Sequence, residues 1–126
     1  MIIQVIGLPC SGKTTALKKW FKKNNNVKYY DVANFSKIKN VKTKLLKTQN
    51  KNVLLESACG IHLNNTTVIL YKQPMSKILE RHKIRKETID EDYLSLLQSN
   101  MMLPNYTVNN TKSLYNILDV LFYNKG

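Results

Sequence analysis

Apolar residues occur along this chain in two kinds of run, which alternate from one end to the other. Short runs of mostly β-branched or otherwise apolar residues predict strands at 2–6, 27–30, 52–56, 66–71 and 106–108. Apolar residues that recur every three or four positions predict helices at about 12–23, 34–50 and 113–123. The same spacing predicts two more helical stretches, one before and one after a polar centre at 81–92. Strands that alternate with helices favour an α/β fold, in which helices flank a five-stranded parallel sheet.

The length of 126 residues suits one domain, residues 1–126. No linker, repeat or low-complexity segment divides the sequence. No apolar run approaches the roughly 20 residues that a membrane-spanning helix needs, and Met1 is followed at once by a predicted strand, not by a signal peptide. We therefore expect a cytoplasmic protein with no membrane partner, and the sequence predicts no particular oligomeric state.

The cysteines and histidines offer little metal chemistry. Cys10 and Cys59 are the only cysteines, and we expect both to be thiols, since reducing compartments disfavour disulfides. The spacing of cysteines and histidines does not match a zinc site. We expect His82 to face solvent and His62 to lie in a loop.

The loop between the first predicted strand and the first predicted helix carries the pattern G-x-x-x-x-G-K-[ST]. Its residues are Gly7, Leu8, Pro9, Cys10, Ser11, Gly12, Lys13 and Thr14, followed by Thr15. In the order strand, glycine loop, helix, this pattern binds phosphate, because backbone N–H groups and the helix dipole favour an anion there. We expect residues 7–15 to bind a nucleotide, with Lys13 at its β- and γ-phosphates and the Thr14 hydroxyl on Mg²⁺.

Two carboxylates stand out because residues 1–79 contain no others. Asp31 and Glu56 each lie at the C-terminal end of a predicted strand, the edge of a parallel sheet where ligands bind. Glu56 follows the apolar run 53–55, in the Walker B position, where a carboxylate holds Mg²⁺ or orients the nucleophile. Asp31 can accept a proton from an acceptor hydroxyl or bind a sugar hydroxyl. The alternative is that both are ordinary strand-end turn residues.

The chain has only two arginines, Arg81 and Arg85, which lie four residues apart and therefore on one helix face. Phosphoryl transfer spreads negative charge over oxygen atoms, and an arginine fork neutralises that charge better than lysine does. We expect these arginines to act on the phosphates. The alternative is a surface helix on which they pair with Glu80 or Glu87.

The net charge of +12 is carried by residues 1–79, which hold 14 lysines and two acids. A basic half of this kind favours an anionic partner, either a nucleotide or a nucleic acid. However, 18 of the 20 basic residues are lysines and asparagine is abundant. This bias also fits an AT-rich genome and a solvated lysine surface, so the charge alone does not select the partner.

Taken together, these segments resemble the P-loop nucleoside and nucleotide kinase superfamily, over essentially the whole chain. Residues 7–15 look like the kinase form of the Walker A loop. Residues 79–87 and 92–97 are similar to the lid of deoxynucleoside and thymidylate kinases, whose arginines close over the phosphates, and residues 108–111 look like the adenine-side loop.

The resemblance implies a P-loop kinase fold and ATP with Mg²⁺ as the donor pair. It implies catalytic roles for a set of four residues, namely Lys13, Asp31, Arg81 and Arg85. Thr14 and Glu56 would be the metal-binding residues. The implied activity is ATP-dependent phosphorylation of a nucleoside or nucleoside monophosphate, a small acceptor.

The sequence departs from the deoxynucleoside kinases on the acceptor side. Those enzymes carry an acidic-Arg-Ser motif after the third strand, whereas this chain reads Glu56-Ser57-Ala58. The region between Asp31 and Val53, which builds a nucleoside pocket in that family, is cut to one predicted helix, rich in lysine.

Two alternatives to a nucleoside or nucleotide acceptor therefore stay open. The motif Gly-Leu-Pro-x-Ser-Gly-Lys also resembles polynucleotide 5′-kinases and kinases that act on aminoacyl-tRNA, so the acceptor can be a polynucleotide, an RNA 5′ end or a tRNA-linked group. A lysine-rich, shallow acceptor side would suit such a nucleic acid. The other alternative is a non-catalytic nucleotide-binding module.

Overall fold

The computed structural model describes residues 1–32, 52–85 and 91–123. The strands are β1 (Ile2–Ile6), β2 (Lys28–Asp31), β3 (Val53–Ser57), β4 (Thr66–Tyr71) and β5 (Tyr106–Val108). The helices of the described residues are α1 (Lys13–Lys23), α2 (Met75–Ile84), α3 (Glu91–Ser99) and α4 (Thr111–Tyr123). All strand pairs are parallel, in the order β2-β3-β1-β4-β5. The predicted α/β class and five-stranded parallel sheet are confirmed.

The strand boundaries differ from the predicted ones by one residue at most. The helix predicted at 34–50 lies outside the described residues. Within the described ranges, none of the helices has the length and apolar character needed to cross a membrane.

Helix α4 begins earlier than the hydrophobic pattern predicts, at Thr111 and not at residue 113. The cause is Asn110, which the pattern assigns to a loop. Its side-chain Oδ1 accepts a hydrogen bond from the backbone N–H of Ser113 at 2.8 Å. Asn110 is therefore the N-cap of α4, a role that asparagine fills well because its oxygen satisfies one of the free N–H groups of the first turn.

The main core lies between the sheet and the helices α1 and α4. It is formed by buried apolar side chains from β1, β3, β4 and both helices, among them Ile3, Val5, Leu17, Trp20, Leu54, Ile69, Leu114, Leu118 and Phe122. Trp20 of α1 stacks on Phe122 of α4, with ring centroids 5.6 Å apart. Since burial of each large apolar side chain contributes about 1.5–3 kcal/mol, this contact stabilises the packing of α1 against α4 over the sheet.

His82 is buried, so the expectation that it faces solvent is wrong. Ile78 lies four residues earlier on α2 and is also buried, in a cluster with Leu8 and Leu94. Residues four apart share a helix face, so His82 belongs to the buried face of α2 although its neighbours in sequence are charged. His62 is exposed in the connection between β3 and β4, as predicted.

Both cysteines are reduced thiols, as expected. Cys59 follows β3, and its Sγ donates to the backbone oxygen of Leu97 at 3.4 Å. Burial raises the pKa of the Cys59 thiol, and the nearby Lys13 ammonium opposes that shift.

Gln4 is a polar residue in the centre of the sheet, on β1, and it is fully buried. Its Nε2 donates to the backbone oxygen of Ile61 at 2.7 Å, and its Oε1 accepts from the Ile61 N–H at 2.8 Å. The side-chain amide of Gln4 thus forms the two hydrogen bonds that another backbone segment would otherwise form with Ile61. It fastens the segment that follows β3 to the central strand.

We expect the substitution Gln4→Leu to destabilise the protein by about 2–6 kcal/mol. It leaves the N–H and C=O of Ile61 without their partner, and each unsatisfied buried group costs about 1–3 kcal/mol. The free energy of unfolding from urea titrations measures the loss. Gln98→Leu is the matched control, because Gln98 is exposed on α3; equal stabilities of the two variants would contradict the role of Gln4.

Candidate functional site

The loop between β1 and α1, residues 7–12, turns tightly at the carboxyl edge of the sheet. Cys10 and Gly12 have φ angles of 64° and 87°, in the left-handed region, which glycine adopts without strain. Gly7 is needed for another reason, because a β-carbon there would lie 2.8 Å from the backbone oxygen of Tyr71 on β4. The two glycines let the loop approach β4 and then turn directly into α1.

Three features of this loop fit a bound phosphate. Helix α1 begins at Lys13 without a side-chain cap, so the N–H groups of its first turn and its positive dipole end face the loop. The Ser11 hydroxyl is buried and has no hydrogen-bond partner within the described part of the chain. A cavity of about 230 Å³ is lined by residues 8–15 and Arg85.

Lys13 is buried, with its ammonium directed at two strand ends. Its Nζ donates to the backbone oxygens of Gly7 at 2.7 Å and Ser57 at 3.0 Å. Burial lowers the pKa of Lys13, and the charges of Glu56 and Asp31 oppose that shift. The structure therefore places the predicted phosphate ligand at the loop, beside both predicted carboxylates.

The structure also brings together the two residues predicted to bind metal. Thr14 Oγ1, at the start of α1, donates a hydrogen bond to Glu56 Oε2 at the end of β3. The register of β1 and β3 explains the meeting, since Val5 pairs with Glu56 and Ile6 with Ser57. The end of β3 therefore lies beside the start of the loop.

The chemistry of this pair fits Mg²⁺. Among the described residues, no group of three or more His, Cys, Asp and Glu side chains could hold a metal by itself. Mg²⁺ does not need one, because it usually takes one or two protein ligands together with phosphate oxygens and water. Thr14 and Glu56 would supply the protein share beside the phosphate cavity.

Tyr29 is a residue of the site that the sequence analysis missed. Its hydroxyl donates a hydrogen bond to Glu56 Oε1, the carboxylate oxygen that Thr14 does not contact. Burial and this hydrogen bond raise the pKa of Tyr29 far above its usual range. The alternation of side chains along a strand could have indicated it, because Tyr29 lies two residues before Asp31 and so shares its face.

Asp31 ends β2 and lies opposite Glu56 in the register of β2 and β3. It is partly exposed, and its charge raises the pKa of Lys13. The structure therefore places Asp31 at the same sheet edge as the loop. Its role as a base stays a prediction.

Arg81 and Arg85 both contact the loop. Arg81 Nη1 donates to the backbone oxygen of Cys10 at 3.1 Å, and Arg85 Nη1 donates to the Cys10 Sγ at 3.5 Å. A β-carbon on Gly12 would lie 3.0 Å from Arg81 Nη1. The two guanidinium groups thus reach the loop together, Arg81 from α2 and Arg85 from the residue that caps its C-terminal end. Glu87, one partner in the alternative interpretation, lies outside the described residues.

A second cavity, of about 300 Å³, lies next to the first. Its lining comes from the loop, α1, α2, β4 and α4 and consists of Cys10, Gly12, Thr15, Ala16, Lys19, Tyr71, Arg81, Arg85, Thr111 and Tyr115. Tyr71 and Thr111 are hydrogen bonded through their hydroxyls at 3.3 Å, and the Tyr115 hydroxyl donates to the Ala16 oxygen at 2.8 Å. Cys10, Gly12, Thr15 and Arg85 line both cavities, so the two cavities adjoin each other and could together hold the phosphates and the nucleoside of one nucleotide.

We expect Lys13→Ala to weaken ATP binding by about 10- to 100-fold, since a hydrogen bond to a charged group contributes about 1.5–3 kcal/mol. Calorimetry in the presence of EDTA measures this loss without the contribution of a metal. Lys18→Ala is the matched control, because Lys18 lies exposed on the same helix. Unchanged ATP affinity in the Lys13 variant would exclude the lysine as a phosphate ligand.

Comparison with known proteins finds likeness in structure only. No protein-family model and no curated protein sequence matches the chain. Solved structures do match over nearly their whole length. They include a shikimate kinase from Aquifex aeolicus, with a TM-score of 0.60, 20% identity and 98% of each chain covered.

Two further matches have the same fold at lower identity. A sugar kinase from Janibacter has a TM-score of 0.70 at 11% identity and covers 94% of this chain and 92% of its own. A gluconokinase from Sinorhizobium meliloti has a TM-score of 0.64 at 10% identity and covers 98% and 97%. These likenesses, together with the parallel sheet and the loop after β1, show that the chain has the fold of the P-loop kinases.

Proposed function

We propose that this protein is an ATP-dependent phosphotransferase that acts on a small hydroxylated acceptor, first of all a nucleoside or nucleoside monophosphate. The observation that carries the proposal is the hydrogen bond between Thr14 and the buried Glu56, next to Lys13. A loop that only holds an anion does not need a buried carboxylate beside it. A site for phosphates with Mg²⁺ does, because the carboxylate compensates the charge of the cation.

Each of the two cavities would hold one part of the donor nucleotide. The phosphates of ATP would lie over residues 8–15, and the adenosine would lie against Tyr71, Thr111 and Tyr115. Mg²⁺, when bound, neutralises charge on the transferred phosphoryl group and the leaving ADP. Lys13 and the arginines supply positive charge on the protein side.

The reaction needs a hydroxyl oxygen that attacks the γ-phosphorus while the bond to ADP breaks. The proton of that hydroxyl would pass to Asp31, whose carboxylate is partly exposed at the same sheet edge. As charge spreads over the phosphoryl oxygens, Arg81 and Arg85 would stabilise it through forked hydrogen bonds. Each group contributes most in the transition state, which is what acceleration requires.

A second candidate acceptor class is a sugar or hydroxy acid. It is favoured by the names of the similar structures, a shikimate kinase, a gluconokinase and a sugar kinase. A nucleic-acid end is the third class, favoured by the lysine-rich segment 37–51. That segment lies outside the described residues, and lysine is abundant elsewhere in the chain, so a small acceptor is the stronger proposal.

A screen with ATP labelled on its γ-phosphate tests the function and separates these acceptors. Nucleosides, nucleoside monophosphates, sugars, hydroxy acids and 5′-hydroxyl oligonucleotides are tested in parallel reactions. The proposal expects transfer to the nucleosides or the nucleoside monophosphates. Transfer to oligonucleotides alone would favour the nucleic-acid kinase. MgATP binding without transfer to any class would favour a nucleotide-binding module and contradict the enzyme.

We expect Asp31→Asn to slow transfer by about 10²–10⁴-fold, the usual contribution of a general base, and to leave ATP affinity nearly unchanged. Single-turnover rates and calorimetry measure the two quantities separately. Asp92→Asn is the control, because Asp92 is an exposed carboxylate at the start of α3. Full activity of the Asp31 variant would make this residue a strand-end turn residue.

We expect Arg81→Ala and Arg85→Ala each to lower kcat, since an arginine on a transferring phosphoryl group can contribute about 10³–10⁵-fold. The lysine variants should recover only part of this, because lysine keeps the charge but lacks the forked geometry. Steady-state kinetics of the four variants decides between charge and geometry. Rates equal to wild type in all four would assign both arginines to a structural role at the loop.

A further inference from the structure

The carboxylate of Glu56 is held from two sides by hydroxyl groups of different elements. Thr14 Oγ1, at the start of α1, donates to Oε2, and the Tyr29 hydroxyl, on β2, donates to Oε1. Glu56 itself is buried. Since a buried carboxylate is stable only when it is hydrogen bonded, the two hydroxyls together fix its orientation.

Each hydroxyl has a single hydrogen atom, and this limits what the oxygens can do next. Thr14 uses its hydrogen on Glu56, so its oxygen is left with acceptor capacity alone, which is what a cation requires. Glu56 keeps lone pairs beyond the two that it uses and can accept from a water on the cation. The direction of the Thr14 hydroxyl therefore depends on where the Glu56 carboxylate points.

Tyr29 is itself held rigidly. Its ring lies against Phe21 of α1, with centroids 5.5 Å apart, and packs against the main core. In the parallel register of β2 and β3, Tyr29 pairs with Leu54, two residues before Glu56. Tyr29 and Glu56 thus lie on the same face of neighbouring strands, and the phenol reaches the carboxylate along the strand direction.

We propose that Tyr29 is a positioning residue for the metal site, which orients Glu56 and, through it, the Thr14 hydroxyl. This inference rests on the proposed function, because it assigns the Thr14–Glu56 pair to a divalent cation beside nucleotide phosphates. Tyr29 touches neither cation nor nucleotide in this scheme. Loss of the Tyr29 hydroxyl should therefore weaken the affinity for the cation, and not the affinity for the nucleotide in the absence of the cation.

The experiment measures ADP binding by calorimetry at increasing Mg²⁺ concentration and in EDTA, for wild type and Tyr29→Phe. The variant keeps the ring and its contact with Phe21 but loses the hydroxyl. We expect the Mg²⁺ concentration for half-maximal tightening of ADP binding to rise by about 10- to 100-fold, as when a residue behind a metal ligand is lost. The ADP affinity in EDTA should stay within a factor of two or so.

Tyr123→Phe is the matched control. It also removes a phenol hydroxyl from a hydrogen-bonded tyrosine on the surface, one whose oxygen lies 2.9 Å from Asn24 Oδ1 and 3.0 Å from Asn26 Oδ1 and shares its single hydrogen between them. We expect its Mg²⁺ dependence to equal that of wild type. A Glu56→Gln variant should lose the Mg²⁺ effect more completely than Tyr29→Phe does.

Two results would overturn the inference. One is an unchanged Mg²⁺ requirement in Tyr29→Phe. The other is an equal loss of ADP affinity with and without the metal, which would make Tyr29 a purely structural residue. A wild type that binds MgADP but transfers no phosphoryl group would refute the proposed function and leave this test intact.

Discussion

The position of β1 between β3 and β4 is the constraint on which the site depends. Parallel pairing in the register Ile6 with Ser57 and Ile6 with Leu70 brings three strand ends to one edge of the sheet. The loop after β1 can therefore meet the end of β3 and pass within contact of Tyr71 at the end of β4, where only glycine fits at position 7. A shift of one residue in the β1–β3 register would turn Glu56 to the other face of the sheet.

The buried charges at this edge of the sheet lower the stability of the fold but serve the proposed phosphoryl transfer. Lys13 and Glu56 are both buried, and a buried charge is tolerated only with hydrogen bonds and an opposite charge nearby. The strand-end oxygens hold Lys13, and two hydroxyls hold Glu56. The packing of Trp20 on Phe122 secures α1 at the same time. The apolar core thus stabilises an arrangement that the polar groups alone would not maintain.

Much of the site could be predicted because its signals are local. The phosphate loop is one continuous segment between a strand and a helix, so Lys13 and Thr14 follow from the motif. Glu56 follows from its place at the end of a buried apolar strand. Tyr29 and Gln4 could not be assigned in the same way, because their partners, Glu56 and Ile61, are 27 and 57 residues away in sequence. The burial of His82 could not be predicted, because its neighbours in sequence are charged. The buried face of α2 becomes evident only from the packing of Ile78 against Leu8 and Leu94.

The order of residues along the chain is enough to predict the alternation of strands and helices, the phosphate loop, and the few acids and arginines that are candidate site residues. These are properties of neighbouring residues, whose periodicity and backbone preferences act over a few positions. The folded chain is needed to establish the strand order, the contacts of Arg81 and Arg85 with Cys10, and the hydrogen bonds from Tyr29 and Thr14 to Glu56. Such pairings depend on the register between distant strands and on which helix face is buried, and both are set when the whole core packs together.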